Sequence, residues 1–304
     1  NSYCIVKDSI TSLRLEMKHF EIASGPDSIF KHCASVITRT KNVHYEYNTD
    51  GLIFTPIEIP LPTTNHKSTW EHSFKWKPHT FNTIDFLVKI RKNEDDSDVV
   101  SQSYLDGKDL STNNKMMQYK RLILMCGFSK KDHGYINPCE DVLQDVIPSF
   151  KNHENSYEPV PFYPTNPYDD SAHQCNVALK YDKNGVLQMF TEENEVIEDN
   201  TIVEFRYEMN ADAHWKWKPL RVRHDKTYQL RSGMPNYGNA YHVANSNWHS
   251  IHNPITEEMI STGQHIPENF ADDDVYYKKT SGKSYTKSLR DFHNLVVKRM
   301  LILG

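Results

Sequence analysis

The strongest constraint on the fold of this chain is a series of short segments in which apolar and polar residues alternate. Within Asn82–Ile90, every second position is apolar, as Ile84, Phe86, Val88 and Ile90. Successive side chains of a strand point to opposite faces, so this alternation predicts a β-strand. Further strands are predicted at 120–127, 176–190 and 201–207. Many short strands joined by long loops indicate a small β-barrel over about residues 89–230.

Other segments carry apolar residues at the spacing of a helix. Near residues 27–38 these are Ile29, Phe30, Cys33 and Ile37. The segment 254–258 is typical of a helix start, and the apolar spacing over Ser288–Leu303 predicts a helix that packs on a neighbouring surface. Five prolines within 145–175 predict a coil without helix. Strands and helices together place the chain in the α+β class.

Length, charge and cysteine content limit the classes of function that this chain can have. A length of 304 residues is enough for about two domains. The net charge of −5 gives no overall attraction to nucleic acid, so phosphate binding must come from local basic clusters. Five scattered cysteines without a Cys-x-x-Cys pair argue against a disulfide framework or a structural zinc site. No apolar run approaches the ~18 residues of a membrane span.

The first candidate cluster is Phe74-Lys75-Trp76-Lys77-Pro78. In a strand, Lys75 and Lys77 share one face and Trp76 lies on the other. Two ammonium groups on one face, backed by an apolar ring, form a platform for an anion such as a polyphosphate. The alternative is a solvated edge strand with protective lysines.

The second candidate cluster is Arg221-Val222-Arg223-His224-Asp225-Lys226. Extended geometry places Arg221, Arg223 and Asp225 on one face, and Lys226 follows. The fork of an arginine suits phosphate oxygens, and a neighbouring carboxylate can orient the fork or hold a metal. A surface ladder of salt bridges is the alternative.

Two carboxylates and one short segment complete the candidate residues. Asp50, in a turn before a predicted strand, can hold Mg²⁺ through its oxygens, and Asp85 on the next strand can supply another ligand. Taken alone, Asp50-Gly51 is an ordinary turn. Lys18-His19-Phe20 offers a donor and an aromatic ring, or simply the edge of a core.

In this order and spacing, the blocks resemble motifs of the covalent nucleotidyltransferase superfamily, and most closely those of the capping guanylyltransferases of large DNA viruses. The likeness extends over about residues 13–230. The matching segments are 18–20 for motif IIIa, 48–56 for motif IV, 74–78 with 82–86 for motif V, and 202–207 with 217–226 for the approach to motif VI.

The resemblance implies a role for each candidate residue. Lys75 and Lys77 would contact the nucleotide phosphates, and Asp50 would serve the divalent metal, Mg²⁺ or Mn²⁺. Asp85 matches a functionally important aspartate that follows motif V. Lys18 would lie beside the guanine base of GTP, and Phe20 would also bind GTP. The residues that orient the β- and γ-phosphates would be Arg223, Asp225 and Lys226, and Arg221 would also bind GTP.

The resemblance also implies a two-domain clamp that closes over GTP. Residues 1–88 would be the C-terminal part of a nucleotidyltransferase core, and 89–232 an oligonucleotide/oligosaccharide-binding (OB) β-barrel with insertions. Residues 233–304 would be a helical linker and the first elements of a guanine-N7 methyltransferase domain. The entry into that domain is the segment 288–298, and its cofactor would be S-adenosylmethionine.

The reaction implied is mRNA 5′ capping, in which GMP passes from GTP to an enzyme lysine and then to diphosphate-ended RNA. The partners would be GTP, the 5′ end of nascent mRNA and subunits of a capping complex. The location would be the host cytoplasm, at the viral factory, or the virion. The nucleophile belongs to a Lys-x-Asp-Gly motif, which none of the 304 residues forms. We therefore expect it upstream of Asn1, and expect the chain by itself to be inactive.

Two alternatives use the same residues differently. A polynucleotide ligase fragment would carry similar lysines but would prefer ATP or NAD to GTP. A non-catalytic OB module would grip single-stranded RNA through stacking aromatics in a basic groove, for which Trp215 and Trp217 are the candidates. The acidic net charge weighs against the second alternative.

Overall fold

A computed structural model of the chain describes residues 20–24, 26–42, 49–60, 72–104, 116–129, 156–264 and 300–303. These residues form two compact units. The first unit consists of Asn1–Pro78 and Ile255–Gly304, and the second of His79–Pro254. The chain therefore leaves the first unit after Pro78 and returns to it at Ile255.

Strands predominate in the described residues, and the fold is α+β. The strands are β1 (Phe20–Ala23), β2 (Leu52–Pro56), β3 (Phe74–Trp76), β4 (Thr83–Ile90), β5 (Val100–Tyr104), β6 (Met116–Ser129), β7 (Tyr157–Pro161), β8 (Gln174–Tyr181), β9 (Leu187–Met189), β10 (Thr201–Tyr207), β11 (Trp217–Val222) and β12 (Met300–Leu303). The α-helices are α1 (Pro26–Asn42), α2 (His224–Arg231), α3 (Tyr241–His252) and α4 (Glu257–Thr262).

The first unit has a four-stranded antiparallel sheet in the order β1-β12-β2-β3. Helix α1 buries Ile29, Cys33 and Val36, whose spacing of three to four residues places them on one helical face. In β2, Leu52 and Phe54 alternate with more exposed neighbours and point into the same core. A helix and a sheet, each apolar on one side, thus bury those sides together.

Helix α4, which belongs to the segment that returns to the first unit after residue 254, packs on the same core. The hydroxyl of Thr256 caps the helix by accepting a hydrogen bond from the backbone N–H of Met259 at 3.2 Å. Gly263 ends it with φ +71°, the left-handed conformation that favours glycine. Between these caps, Ile260 is buried in the core shared with α1 and β2.

The second unit has an antiparallel sheet whose main path is β11-β10-β4-β6-β8-β9, with β5 and β7 also paired to the long strand β6. Strand β4 lies between β10 and β6, and its even-numbered side chains face the core. The side chain of Phe86 lies near the centre of that core. Its ring centroid is 5.1 Å from that of Phe162 and 5.2 Å from that of Trp217.

Helix α3 packs on the core face of this sheet. It buries Tyr241, Ala244, Trp248 and Ile251, which recur at the three- to four-residue spacing of one helical face. The indole of Trp248 is fully buried, with its centroid 5.9 Å from that of Trp217. Its Nε1–H donates to the backbone carbonyl of Pro167 at 2.8 Å. The aromatic core therefore depends on a helix contributed by residues 241–252.

Most of the local predictions are confirmed. The helix expected near 27–38 is α1, the alternating segment 82–90 is β4, and strand 120–127 lies within β6. The predicted strands at 176–190 and 201–207 correspond to β8, β9 and β10. In the described part of the proline-rich segment 145–175 there is no helix, although Tyr157–Pro161 pairs with β6 as a strand.

Two local predictions are wrong. The extended geometry expected over 221–226 ends at Val222, because α2 begins at His224 and Arg223 is its N-cap residue. The helix expected up to Leu303 is contradicted at its end, where Met300–Leu303 is a strand paired with β1 and β2. The earlier part of that predicted helix, residues 288–299, lies outside the described residues.

The two units divide the chain at other places than the predicted limits of 88 and 232. Strand β4 crosses residue 88, and its pairing with β6 and β10 includes it as a whole in the second unit. Residues 241–252, expected in a linker, form α3 and pack in the core of that unit. The identities assigned to the three predicted domains remain predictions.

No helix in the described ranges combines the length and the apolar character that crossing a membrane would require.

Replacement of Trp248 by alanine tests the role of α3 in the core. It should lower the free energy of unfolding by about 3–5 kcal/mol, because a large cavity opens and the carbonyl of Pro167 loses its donor. Chemical denaturation measures this loss. The control is Tyr228→Ala on α2, where the side chain is 71% exposed and the expected change is within about 0.5 kcal/mol. A loss of less than about 1 kcal/mol for Trp248→Ala would contradict the packing described.

Candidate functional site

In the first unit, one carboxylate is shared by two lysines. The Nζ atom of Lys77 lies 2.7 Å from Oδ2 of Asp50, and the Nζ atom of Lys75 lies 3.0 Å from the same oxygen. The side chains of Asp50, Lys75 and Lys77 are 48%, 46% and 33% exposed. The cluster is therefore open to solvent, with two ammonium groups focused on one oxygen.

The pairing of β2 with β3 brings these residues together. Leu52 is opposite Trp76 and Ile53 is opposite Lys75 in the antiparallel register. Lys75 points outward, whereas Trp76 packs on the core and donates from Nε1 to the carbonyl of Ile255 at 2.7 Å. The prediction that the lysine and the tryptophan use opposite faces of this strand is confirmed.

Gly51 allows the close approach of the turn to β3. Its φ is +144°, and a Cβ atom at this position would lie 1.9 Å from the carbonyl oxygen of Trp76. Any larger side chain would push Asp50 away from β3, since the obstacle is backbone. The dipeptide Asp50-Gly51 is therefore more than a surface turn, because the glycine brings the aspartate within reach of both lysines.

The electrostatics of this cluster keep Asp50 ionised. The hydrogen bond from Lys77 lowers the pKa of Asp50 below its ordinary value, and Lys75 adds to that effect, whereas partial burial opposes it. At neutral pH the cluster therefore carries two positive charges and one negative charge. The cluster is therefore locally positive, although the net charge of the whole chain is −5.

In the second unit, Asp85 is likewise shared by two cations. Its Oδ2 accepts a hydrogen bond from Nη1 of Arg223 and another, at 2.6 Å, from Nζ of Lys226. The Asp85 side chain is only 7% exposed, and those of Arg223 and Lys226 are 24% and 23% exposed. A carboxylate so deeply buried requires paired charges, and both cations supply them.

Arg223 also binds a second carboxylate with its other edge. Its Nε and Nη2 atoms donate to the two oxygens of Asp225 at 3.2 and 3.1 Å, a bidentate arrangement. The Asp225 side chain is 64% exposed. The guanidinium of Arg223 thus donates from one nitrogen to the buried Asp85 and from its Nε and Nη2 edge to the exposed Asp225.

The junction between β11 and α2 fixes the position of Arg223. Its backbone N–H donates to the carbonyl of Ile202 at 2.7 Å, and its carbonyl accepts from the N–H of Thr227 at 2.8 Å. The Thr227 hydroxyl in turn accepts from the N–H of Ile202 at 2.9 Å. Arg223 and the first turn of α2 are therefore bonded directly to β10.

A loop segment holds the backbone of Asp85 from the other side. The N–H of Asp85 donates to the side-chain oxygen of Asn239 at 2.7 Å, and the N–H of Asn239 donates to the Asp85 carbonyl at 2.8 Å. Gly238, at φ +85°, approaches so closely that a Cβ atom would lie 2.3 Å from the Asp85 carbonyl oxygen. These contacts fix the strand position from which the carboxylate projects.

Arg221 belongs to a different ion pair. Its Nε donates at 2.7 Å to Glu204, whose other oxygen accepts from the hydroxyl of Thr83 at 2.6 Å. Burial alone would raise the pKa of Glu204, but the hydrogen bonds from Thr83 and Arg221 outweigh it, and the pKa is lowered. Glu204 lies directly opposite Asp85 in the pairing of β10 with β4, so two carboxylates stand side by side.

The structure brings together most of the predicted site residues, in two separate clusters. Lys75 and Lys77 meet Asp50, and Arg223, Asp225 and Lys226 form a cluster with Asp85. Arg221 pairs elsewhere. Phe20 is on the edge strand β1 and is 50% exposed. Lys18 lies outside the described residues.

Some predicted roles are not supported by the geometry. Trp217, a candidate stacking residue, is 2% exposed and belongs to the aromatic core. Asp85, considered as a second metal ligand, is bound to two cations within the second unit. Arg221, Arg223 and Asp225 do not line one face of a strand, because α2 begins at His224.

The described residues offer few ligands for a metal ion. In the described part of the chain, no three His, Cys, Asp or Glu side chains are grouped so that they could hold a metal ion. Asp50 offers a single carboxylate, and Mg²⁺ binds through one or two carboxylates with water and substrate phosphates as its other ligands. The residues therefore fit a metal that the phosphates help to hold.

Sequence reasoning missed Glu204 and Asn239. Glu204 is a charged residue within the apolar strand 201–207, which is a signal that it has a partner. Asn239 gives no comparable signal, because its role depends on a loop that packs beside β4 from 154 residues away in sequence.

Comparison with known proteins adds independent information on this chain. Residues 142–261 match the family model described as the mRNA capping enzyme, C-terminal domain. A probable mRNA-capping enzyme of Acanthamoeba polyphaga mimivirus is 30% identical over 222 residues, which cover 71% of this chain and 16% of that protein. The mRNA-capping enzymes of two African swine fever virus isolates are 24% identical over 259 residues, covering 83% of this chain and 25% of each relative.

The matched region thus spans a quarter or less of the length of these relatives. The family-model match includes β10, β11 and α2, and so includes Arg223, Asp225 and Lys226. The similarity extends over most of the chain and is shared by capping enzymes of two large DNA viruses. The chain is therefore similar, over most of its length, to a segment of the mRNA-capping enzymes of large DNA viruses.

Proposed function

We propose that this chain supplies phosphate-binding residues for the guanylyltransferase step of mRNA capping. In that step GMP is transferred from GTP, through a lysyl-GMP intermediate, to the diphosphate end of RNA. The observation that carries the proposal is the pair of lysines, Lys75 and Lys77, that share the single carboxylate of Asp50. The similarity of the chain to viral mRNA-capping enzymes supports it.

The charge balance of this pair suits a phosphate. Two ammonium groups face one carboxylate, so one positive charge is uncompensated within the cluster. All three side chains are a third to a half exposed, so an incoming phosphate reaches them without opening a core. A triphosphate carries more negative charge than one carboxylate and therefore competes for both lysines.

The Arg223 cluster of the second unit is also suited to binding phosphate. Asp85 is buried and bonds one nitrogen of the guanidinium, which orients it. The Nε and Nη2 edge is free to exchange the exposed carboxylate of Asp225 for two phosphate oxygens, because a phosphate offers the same bidentate geometry. Lys226, on the same buried aspartate, adds charge beside it.

The reaction requires these positive charges at the moment when pyrophosphate leaves. A lysine nitrogen bonds to the α-phosphorus of GTP and loses a proton to solvent, while the bond to the bridging oxygen breaks and pyrophosphate leaves. A terminal oxygen of the RNA diphosphate then attacks the same phosphorus, and the nitrogen–phosphorus bond breaks. Cations directed at the departing pyrophosphate stabilise the transition state more than the ground state.

Asp50 has a second role in this proposal. Once Lys75 and Lys77 bind phosphate, the Asp50 carboxylate is available to hold Mg²⁺ or Mn²⁺ with the phosphate oxygens. The metal would supply further neutralisation of the leaving pyrophosphate.

We also assign the OB fold to the second unit, whose antiparallel sheet would form it.

Replacement of Lys75 or Lys77 by alanine should weaken GTP binding. Each lysine offers a charge-assisted contact, so each loss should raise the Kd for GTP about tenfold or more. Fluorescence anisotropy with a labelled GTP analogue and this chain measures the effect. Lys41→Ala is the matched control, since Lys41 is an exposed lysine of the first unit paired with Glu257 at 2.6 Å.

An unchanged Kd in both lysine variants would refute the role of this cluster. Competition with unlabelled ATP distinguishes the ligase alternative in the same assay. Stronger competition by ATP than by GTP would favour a ligase fragment over a guanylyltransferase.

Replacement of Arg223 should affect the two half-reactions unequally. In a polypeptide that joins this region to a Lys-x-Asp-Gly motif, Arg223→Ala should slow formation of enzyme–GMP about 100-fold. Transfer of GMP already bound should change far less, because pyrophosphate has left by then. Gel detection of radiolabelled enzyme–GMP follows the first step, and single-turnover transfer to RNA follows the second.

Arg231→Ala is the control for this experiment. Arg231 lies on the same helix, is 56% exposed and pairs with Glu198. Arg223→Lys keeps the charge on buried Asp85 but removes the bidentate edge, so a similar loss in that variant separates phosphate contact from folding. Equal losses in both half-reactions would contradict the assignment.

A further inference from the structure

We propose that the face of the second-unit sheet opposite its core binds single-stranded RNA through Tyr119, Arg121 and Trp215, here called the β6 platform. This inference rests on the proposed function to the extent that RNA is the acceptor of GMP. It names a surface on which the acceptor chain lies, separate from the residues assigned to the phosphates of GTP.

Strand β6 presents two different faces at this point. Leu122, Leu124 and Cys126 are fully buried in the core. Tyr119 and Arg121 have the opposite parity, so they project from the other face and are partly exposed. An arginine and an aromatic residue two positions apart on one strand face form a small platform with both charge and a π surface.

The charge of Arg121 has no carboxylate partner among the described residues. Its Nε donates to the side-chain oxygen of Asn176 at 2.9 Å, and its Nη1 to that of Gln174 at 2.9 Å. Both partners are neutral carboxamides. A guanidinium has five N–H donors, so these two bonds fix its plane and leave three donors for an anion.

This arrangement differs from that of the other described arginines with fixed partners. Arg39, Arg206, Arg221, Arg223 and Arg231 all pair with carboxylates. Asn176, which orients Arg121, is itself buried, and it lies directly opposite Arg121 in the pairing of β8 with β6. Two amides thus hold the guanidinium in place while leaving its charge uncompensated.

Tyr119 has small neighbours on both adjacent strands, and the residue is partly exposed. In the sheet register, Tyr119 lies opposite Ser101 on β5 and opposite Ala178 on β8. Its ring meets the partly exposed indole of Trp215 edge to face, with centroids 5.3 Å apart. Two aromatic rings beside an arginine provide stacking surfaces for bases and a cation for the backbone.

The loop that carries Trp215 is fixed to the same strands. The N–H of Asn176 donates to the carbonyl of His214 at 2.7 Å, and His214 has φ +65°. Burial lowers the pKa of His214, and the nearby charge of Arg121 adds to that effect. The backbone N–H of Trp215 also donates to the carbonyl of Asp212 at 2.9 Å, which closes the turn that carries the indole.

Single-stranded RNA is the ligand that this chemistry favours. Aromatic stacking requires unpaired bases, whereas a duplex presents only backbone and groove edges. The net charge of −5 gives no general attraction, so affinity must come from a localised site. The relatives are named as mRNA-capping enzymes, which agrees with an RNA ligand.

The test measures binding of this chain to a labelled 12-nucleotide RNA with a 5′-diphosphate end. Arg121→Gln should lower the affinity and reduce the slope of log K against log salt by about 0.7, as expected for one phosphate contact with a single strand. Tyr119→Leu and Trp215→Leu should each weaken binding by about fivefold or more at constant salt, because each removes a stacking surface.

Arg231→Gln is the matched control and should leave RNA binding unchanged, since that exposed arginine is already paired with Glu198. A duplex of the same sequence should bind more weakly than the single strand. Equal affinity for duplex RNA, or unchanged affinity in all three platform variants, would overturn the proposal.

A measurement on the unmodified chain covers the case in which a variant unfolds. Ultraviolet cross-linking to RNA containing 4-thiouridine, followed by peptide mapping, should label the peptides of Tyr119 or Trp215. Labelling confined to other segments would overturn the platform. GTP affinity is measured in parallel. Its dependence on Lys75 and Lys77 tests the proposed function, and RNA binding can succeed or fail independently of it.

Discussion

The second unit depends on the position of strand β4 between β10 and β6. One face of this strand supplies Ile84, Phe86 and Val88 to the aromatic core, and the other carries Asp85. Because side chains alternate strictly along a strand, the core fixes the register, and the register places the carboxylate. A slip of one residue would turn Phe86 toward Arg223 and Lys226 and would bury Asp85 among aromatic rings without its cations. Stability and charge placement therefore have a common origin.

Both charged clusters use the same electrostatic device, in which two cations converge on one carboxylate. They differ in depth. Asp50 is about half exposed, and Asp85 is nearly buried. The shallow carboxylate can be replaced by an incoming anion at little cost, because water screens the change. The deep one stays with its partners, since leaving it unpaired would be costly. One cluster is thus suited to exchange, and the other to holding an arginine in a fixed orientation.

Much of this arrangement could be predicted from sequence, where the relevant period is local. Alternation revealed β4 and the opposite orientations of Lys75 and Trp76, and helical spacing revealed α1. The transition from strand to helix at Arg223 could not be read in this way, because alternating charged residues suit either state and the bonds to Ile202 and Thr227 decide between them. The pairing of Asp85 with Arg223 and Lys226, 138 and 141 residues away, required the sheet order itself. Trp217 shows the opposite error, in which a residue with a plausible binding role serves the core.

The route of the chain has a consequence for how such proteins change over evolutionary time. Residues 79–254 leave from and return to the first unit at points that are bonded to one another, through the indole of Trp76 and the carbonyl of Ile255. Since the two ends of this insertion are held together by the host unit, the insertion can diverge or lengthen without disturbing the packing of α1 against α4. The loops of residues 79–254 can therefore change the ligands that they bind. The first unit meanwhile keeps one continuous core, built from the segments before and after this insertion.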